Sequence, residues 1–188
     1  MTTRLMLIIG VMLTAFVASE PVQAQFSPQF NLIKAAGKND VDEMQALLNK
    51  GVSADTRRRV DGYPVLLIAT DKRYMKAATL LLENGGNPNI QSREREITAL
   101  MGRAEADDTN MMRLLLDYKA DINLRDLGGE TALLKAVRAR KSRAAKMLIE
   151  AGADPNFSDA TGNTALSYAK QTRSSRMISM LEEAGAKD

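Results

Sequence analysis

Carboxylates, guanidiniums and hydroxyls are the groups that could do chemistry in this 188-residue chain, because it contains no histidine and no cysteine. Without histidine it lacks the side chain used most for acid-base work near neutral pH and for transition-metal ligation. Without cysteine, thiolate chemistry, disulfides and lipid attachment through an amino-terminal cysteine are closed. The adjacent carboxylates Asp107-Asp108 and Glu182-Glu183 do not converge on one substrate, since neighbours on a helix point in different directions. They read instead as the start of a helix and a solvated end. No phosphate-cradling glycine loop, nucleophile elbow or metal-ligand spacing occurs. The chain therefore reads as a non-enzyme, with no catalytic, cofactor-binding or metal-binding residue.

The remaining chemistry is recognition by charge. Arg57-Arg58-Arg59 and Arg93-Glu94-Arg95 are dense clusters, with Arg125 further along. Arginine pairs bidentately with carboxylates, so these clusters suit an acidic or mixed-charge protein surface. With 26 basic and 23 acidic residues the net charge is +3, too mild to argue for nucleic acid or an anionic membrane.

The elements that position these clusters follow from a repeat. Thr98-Ala99-Leu100 returns as Thr131-Ala132-Leu133 and Thr164-Ala165-Leu166, 33 residues apart each time. Lys119-Ala120-Asp121-Ile122-Asn123 and Gly152-Ala153-Asp154-Pro155-Asn156 keep the same step. Gly85-Gly86-Asn87-Pro88-Asn89 and Gly51-Val52-Ser53-Ala54-Asp55 precede them at steps of 34. Leu47-Leu48, Leu81-Leu82, Leu115-Leu116, Leu148-Ile149 and Leu181-Glu182 recur between these landmarks.

Each motif has a physical use. Threonine at 98, 131 and 164 suits the cap of a first helix, while Pro64 offers no side-chain cap. Ala35, Ala69, Ala136 and Ala169 let successive helices approach. Gly51, Gly85, Gly152 and Gly185 suit the left-handed close of a second helix, where Lys119 is the exception. Glu182 stands where inner repeats carry an apolar residue, as a carboxy-terminal cap requires.

In period, opening motif, leucine cluster and Gly-Ala-Asp-x-Asn ending, the chain resembles the ankyrin-repeat family from Phe30 to Asp188. The resemblance implies an all-α solenoid of five helix-turn-helix repeats with β-hairpin fingers, at 30–63, 64–97, 98–130, 131–163 and 164–188. Leu67, Met101, Leu134 and Ser167 replace the family's histidine, so apolar packing must substitute for its hydrogen bonds. The resemblance also implies binding through finger tips and the outward side of the first helices. Those positions carry Arg57, Arg58, Arg59, Arg93, Glu94, Arg95 and Arg125 on fingers, and Lys34, Asp71, Glu105, Arg138 and Tyr168 on successive first helices. Arg103 falls at the small inward position of Ala69, Ala136 and Ala169. A local slip, a guanidinium turned outward and an anchor for a partner carboxylate are the three readings.

Residues 1–24 read as a cleavable export signal: Arg4 leads an apolar run from Leu5 to Val17, and Val22-Gln23-Ala24 suits a signal peptidase. Residues 25–29 form a lead-in, and removing Arg4 and Glu20 leaves the net charge at +3. The combined expectation is a monomeric periplasmic module binding a folded protein, an envelope enzyme, to inhibit, protect or position it. It holds no cofactor and is not inserted in the membrane after cleavage. The alternative is a secreted effector that binds host proteins.

Overall fold

The computed structural model describes residues 27–187. The expected export signal lies outside the described residues. Among the described residues ten helices form five antiparallel pairs: α1 Pro28–Lys38 with α2 Val41–Asn49, α3 Val65–Asp71 with α4 Met75–Glu83, α5 Ala99–Glu105 with α6 Thr109–Asp117, α7 Ala132–Arg138 with α8 Ser142–Glu150, and α9 Ala165–Gln171 with α10 Ser175–Glu183. Helix α1 begins at Pro28, ahead of the expected repeat start at Phe30, because Ser27 caps it by accepting from Phe30 N.

Helices of seven to nine residues are too short to persist alone. They stack instead, each pair against its neighbours, around one continuous core. Ala35, Ala69, Ala136 and Ala169 are fully buried where first helices meet. Leu67, Met101 and Leu134 are also buried, so packing has replaced the histidine of the opening motif.

The expected caps are present. Thr98, Thr131 and Thr164 accept from Met101 N, Leu134 N and Ser167 N at 3.3, 3.3 and 3.2 Å, and Pro64 makes no side-chain cap. Asp108 caps α6 through Met111 N. Helix α8 lacks a cap from its own Lys141 and takes one from the preceding repeat: Asp107 Oδ1 accepts from Ala144 N at 3.0 Å. Gly51, Gly85, Gly152 and Gly185 are left-handed, and Lys119 adopts the same conformation at φ 63°.

The Gly-Ala-Asp-x-Asn ending ties repeats together. Asp55, Asn89, Asn123 and Asn156 each accept from a backbone N-H of the next repeat, at Asn87, Asp121, Asp154 and Lys187. The fingers differ from expectation. Among the described residues there is no β-hairpin strand pair, only isolated antiparallel bridges between Arg57 and Pro64 and between Ser158 and Thr164. Side-chain bonds, described below, do the work of a ladder. At the far end Glu182 is exposed, as a terminal repeat requires.

Candidate protein-binding face

The fingers are fastened by one column of side chains. Arg57 Nη1 donates to Gly62 O of its own finger and, at 2.7 Å, to Gln91 O of the next. Gln91 Nε2 donates to Glu96 O and to Arg125 O. Arg125 then donates to Gly129 O and, at 2.9 Å, to Ser158 O. Backbone bonds from Leu127 N to Arg95 O and from Ala160 N to Gly128 O close the row at its tips. Arg57 and Arg125, counted from sequence among contact residues, therefore hold the fingers in place.

Other finger charges remain on the surface. Arg59, Arg93, Glu94 and Arg95 are exposed. Arg58 is exposed but paired with Asp61 at 2.5 Å, and its guanidinium lies 5.5 Å from the Tyr63 ring. That arginine is the first cause holding the Asp61 carboxyl at about 2. Arg93 packs its stem on the neighbouring finger, since a β-carbon at Gly62 would lie 2.4 Å from Arg93 Cδ.

The first-helix wall holds two polar clusters. In one, Arg103 Nη2 donates to Asp71 Oδ1 at 2.7 Å and the Tyr63 hydroxyl donates to Asp71 Oδ2 at 2.6 Å. Burial, then the bond to Asp71, pushes the Tyr63 hydroxyl well above the ordinary tyrosine range. In the other, Lys135 Nζ sits 2.7 Å from Asp126 Oδ2 and 2.9 Å from Glu130 Oε2, while Arg138 pairs with Glu130 and Glu105. Burial works against the Arg138 cation, but Glu130 and Glu105 outweigh it and raise its pKa.

These contacts correct two sequence expectations. Arg103 has neither slipped nor turned outward: α5 stays in register with α3 and α7, and the side chain is 10% exposed and paired across a repeat boundary. An intramolecular partner holds the guanidinium that was considered as an anchor. The five first-helix residues also fall on two positions, not one. Asp71, Glu105 and Arg138 align at the helix ends, whereas Lys34 and Tyr168 align with Ile68, Gly102 and Lys135 one turn earlier.

Tyr168 is half-buried, and its hydroxyl donates to Asp159 Oδ2 at 2.5 Å. Burial raises the Asp159 pKa, but bonds from Tyr168, Thr161 and Asn163 outweigh it and hold the carboxyl at about 2. Lys135 and its partners Asp126 and Glu130 were missed in the sequence. The available signal was a pairing at fixed spacing: Asp126 precedes Lys135 as Asp159 precedes Tyr168, while Ser92 and Gly102 have neither group.

No group of three or more acidic side chains among the described residues is arranged to hold a metal. A polar cleft lined by Arg73, Asp107, Asp108, Thr109, Asn110 and Arg143 lies where the helices of the second, third and fourth pairs are joined. Its charges are matched within it, Arg143 to Asp107 at 2.8 Å and Arg73 to Asp108 at 3.4 Å.

A family model described as ankyrin repeats, three copies, matches residues 84–159 and 100–187, together more than half of the chain. The chain is 33% identical over 107 residues to an ankyrin repeat-containing protein of Treponema pallidum, covering 57% of this chain and 36% of that protein. It is 35% identical over 101 residues to an ankyrin repeat protein of fowlpox virus, covering 53% and 17%. An alpha-latrotoxin of Latrodectus geometricus is 32% identical over 101 residues, covering 53% and 7%. The match therefore spans little more than a third of the length of these relatives, or less.

Proposed function

Because the chain belongs to the ankyrin-repeat family, whose repeats are protein-protein interaction modules, we propose that it is a periplasmic module that binds an envelope enzyme along its finger row. The observation that carries this reading is the fastening of the fingers through Arg57, Gln91 and Arg125. A surface already held in its bound shape loses little freedom on association, so more of the contact energy appears as affinity. Above that row stand Arg58, Arg59, Arg93, Glu94 and Arg95, a mixed-charge edge that fits a partner with acidic side chains. Asp71, Glu105 and Arg138 continue this edge along the first helices. The partner is inhibited, protected or positioned as a consequence of this contact.

The location rests on Arg4, the apolar run from Leu5 to Val17 and the small residues before Gln25. Fractionation with sequencing of the amino terminus tests it: the prediction is a periplasmic pool starting at Gln25. Affinity capture from the envelope fraction tests the surface. One protein retained by the parent and lost by a folded Arg58→Ala, Arg59→Ala, Arg93→Ala, Arg95→Ala variant supports the reading. Equal retention by both refutes the finger row as the interface.

A further inference from the structure

The finger row is not the most basic part of the molecule. The loops that join the helices of the last two pairs lie at the opposite ends of the short first helices, and they are richer in unmatched cations. The segments 138–146 and 170–176 contain no acidic residue. Within them Arg140, Lys141, Arg173 and Arg176 pair with no carboxylate among the described residues, and Arg140, Arg173 and Arg176 are exposed. Arg143 and Lys146 add to the patch while engaged with Asp107 and Glu150, their side chains 75% and 61% exposed.

The repeat lines these charges up. Arg140 and Arg173 both close a first helix in the left-handed conformation, at φ 59° and 52°, and α7 packs on α9. Arg143 and Arg176 are likewise equivalent positions of neighbouring pairs. Stacking therefore places two rows of cations side by side on one edge. The preceding repeat has Asp107 and Asp108 at the corresponding places and neutralises its own section against Arg143 and Arg73.

We propose that this edge is a docking surface for an anionic phospholipid bilayer. The charge calls for an anionic partner, and the composition selects among such partners. Protein interfaces are anchored by buried aromatic or aliphatic side chains. Here the neighbours are Ser142, Gln171, Thr172, Ser174 and Ser175, with no exposed large apolar residue in either loop. A row of long cations without an apolar anchor suits a laterally fluid sheet of phosphate headgroups, to which each cation adds separately. The edge lies away from the finger row, so a bound bilayer leaves the fingers accessible. The inference does not depend on the protein-binding proposal.

The test is sedimentation of the protein without residues 1–24, with vesicles of phosphatidylcholine alone or containing one-third phosphatidylglycerol. Arg140→Asn and Arg173→Asn keep a residue that tolerates positive φ, Lys141→Ser offers a helix cap, and Arg176→Gln is exposed, so the quadruple variant is designed to fold. The expected result is binding to the anionic vesicles only, lost in high salt, and reduced about fivefold for each of the four charges removed. A control lacking Arg58, Arg59, Arg93 and Arg95 should bind as the parent does. Equal binding to both vesicles, equal loss in the control, or retention by a duplex oligonucleotide in preference to anionic vesicles overturns the proposal. Loss of protein capture by the finger variant, with vesicle binding intact, separates the two surfaces.

Discussion

Lys135 lies with its ammonium 2.7 Å from the carboxylate of Asp126, both side chains almost wholly buried at 1% and 3% exposure. This pair joins the third finger to helix α7. Asp126 also accepts from Gly128 N and Glu130 N, so one carboxylate shapes the finger and fixes it to the stack.

Breaking a buried ion pair from one side leaves the other charge uncompensated. Lys135→Met is expected to destabilise the domain by about 3 kcal/mol. Asp126→Ala should cost more, because two backbone donors lose their acceptor as well. Urea unfolding of both variants checks the order, and the double variant Lys135→Met, Asp126→Ala should lose less than the sum of the two single changes.

Arg103 and Asp71 are expected to respond asymmetrically. Arg103→Ala restores the residue found at Ala69 and Ala136 and leaves Asp71, whose side chain is 42% exposed, able to rehydrate. Its cost is expected to be within about 1 kcal/mol. Asp71→Ala strands a guanidinium whose Nε is already without a partner, and should cost about 3 kcal/mol. Equal losses in thermal unfolding would contradict this account of the pair.

The repeat, its caps and its glycine closures were legible because each is a local requirement at a fixed offset: Thr131 had to cap α7 and Gly152 had to close α8. The contents of the wall were less so. Arg103 violated the small-residue pattern, and sequence offered no way to see that Asp71 of the previous repeat would meet it. Lys135 drew no reading from the sequence, although Tyr168 and Asp159 repeat its relation to Asp126. Arg57 and Arg125 read as contact residues because charge is visible in a sequence and a carbonyl in the next repeat is not.

Helix closure gives a backbone prediction. Lys119 sits at φ 63°, where an L side chain is strained, so Lys119→Gly should stabilise the domain by about 0.5 kcal/mol. Gly152→Ala, at φ 92°, should destabilise it by about 1 kcal/mol. Thermal midpoints of the two variants should move in opposite directions.

Asp159 ties acid stability to the last finger. Its carboxyl titrates near 2 in the fold against an ordinary value of 3.8, so the unfolded chain takes up its proton first. The resulting stabilisation is complete above about pH 4 and is lost as pH falls toward 2. Between pH 5 and pH 3 the urea midpoint of Asp159→Asn should fall less than that of the parent; an equal fall would remove Asp159 from the account.

The most direct measurement is site-specific photo-crosslinking in intact cells, with the photoreactive residue at Arg95 on the second finger or at Glu150 on the second helix of the fourth pair. The account predicts one discrete protein adduct from position 95 and none from position 150. An adduct from position 150 with none from position 95 would contradict the finger row as the binding surface.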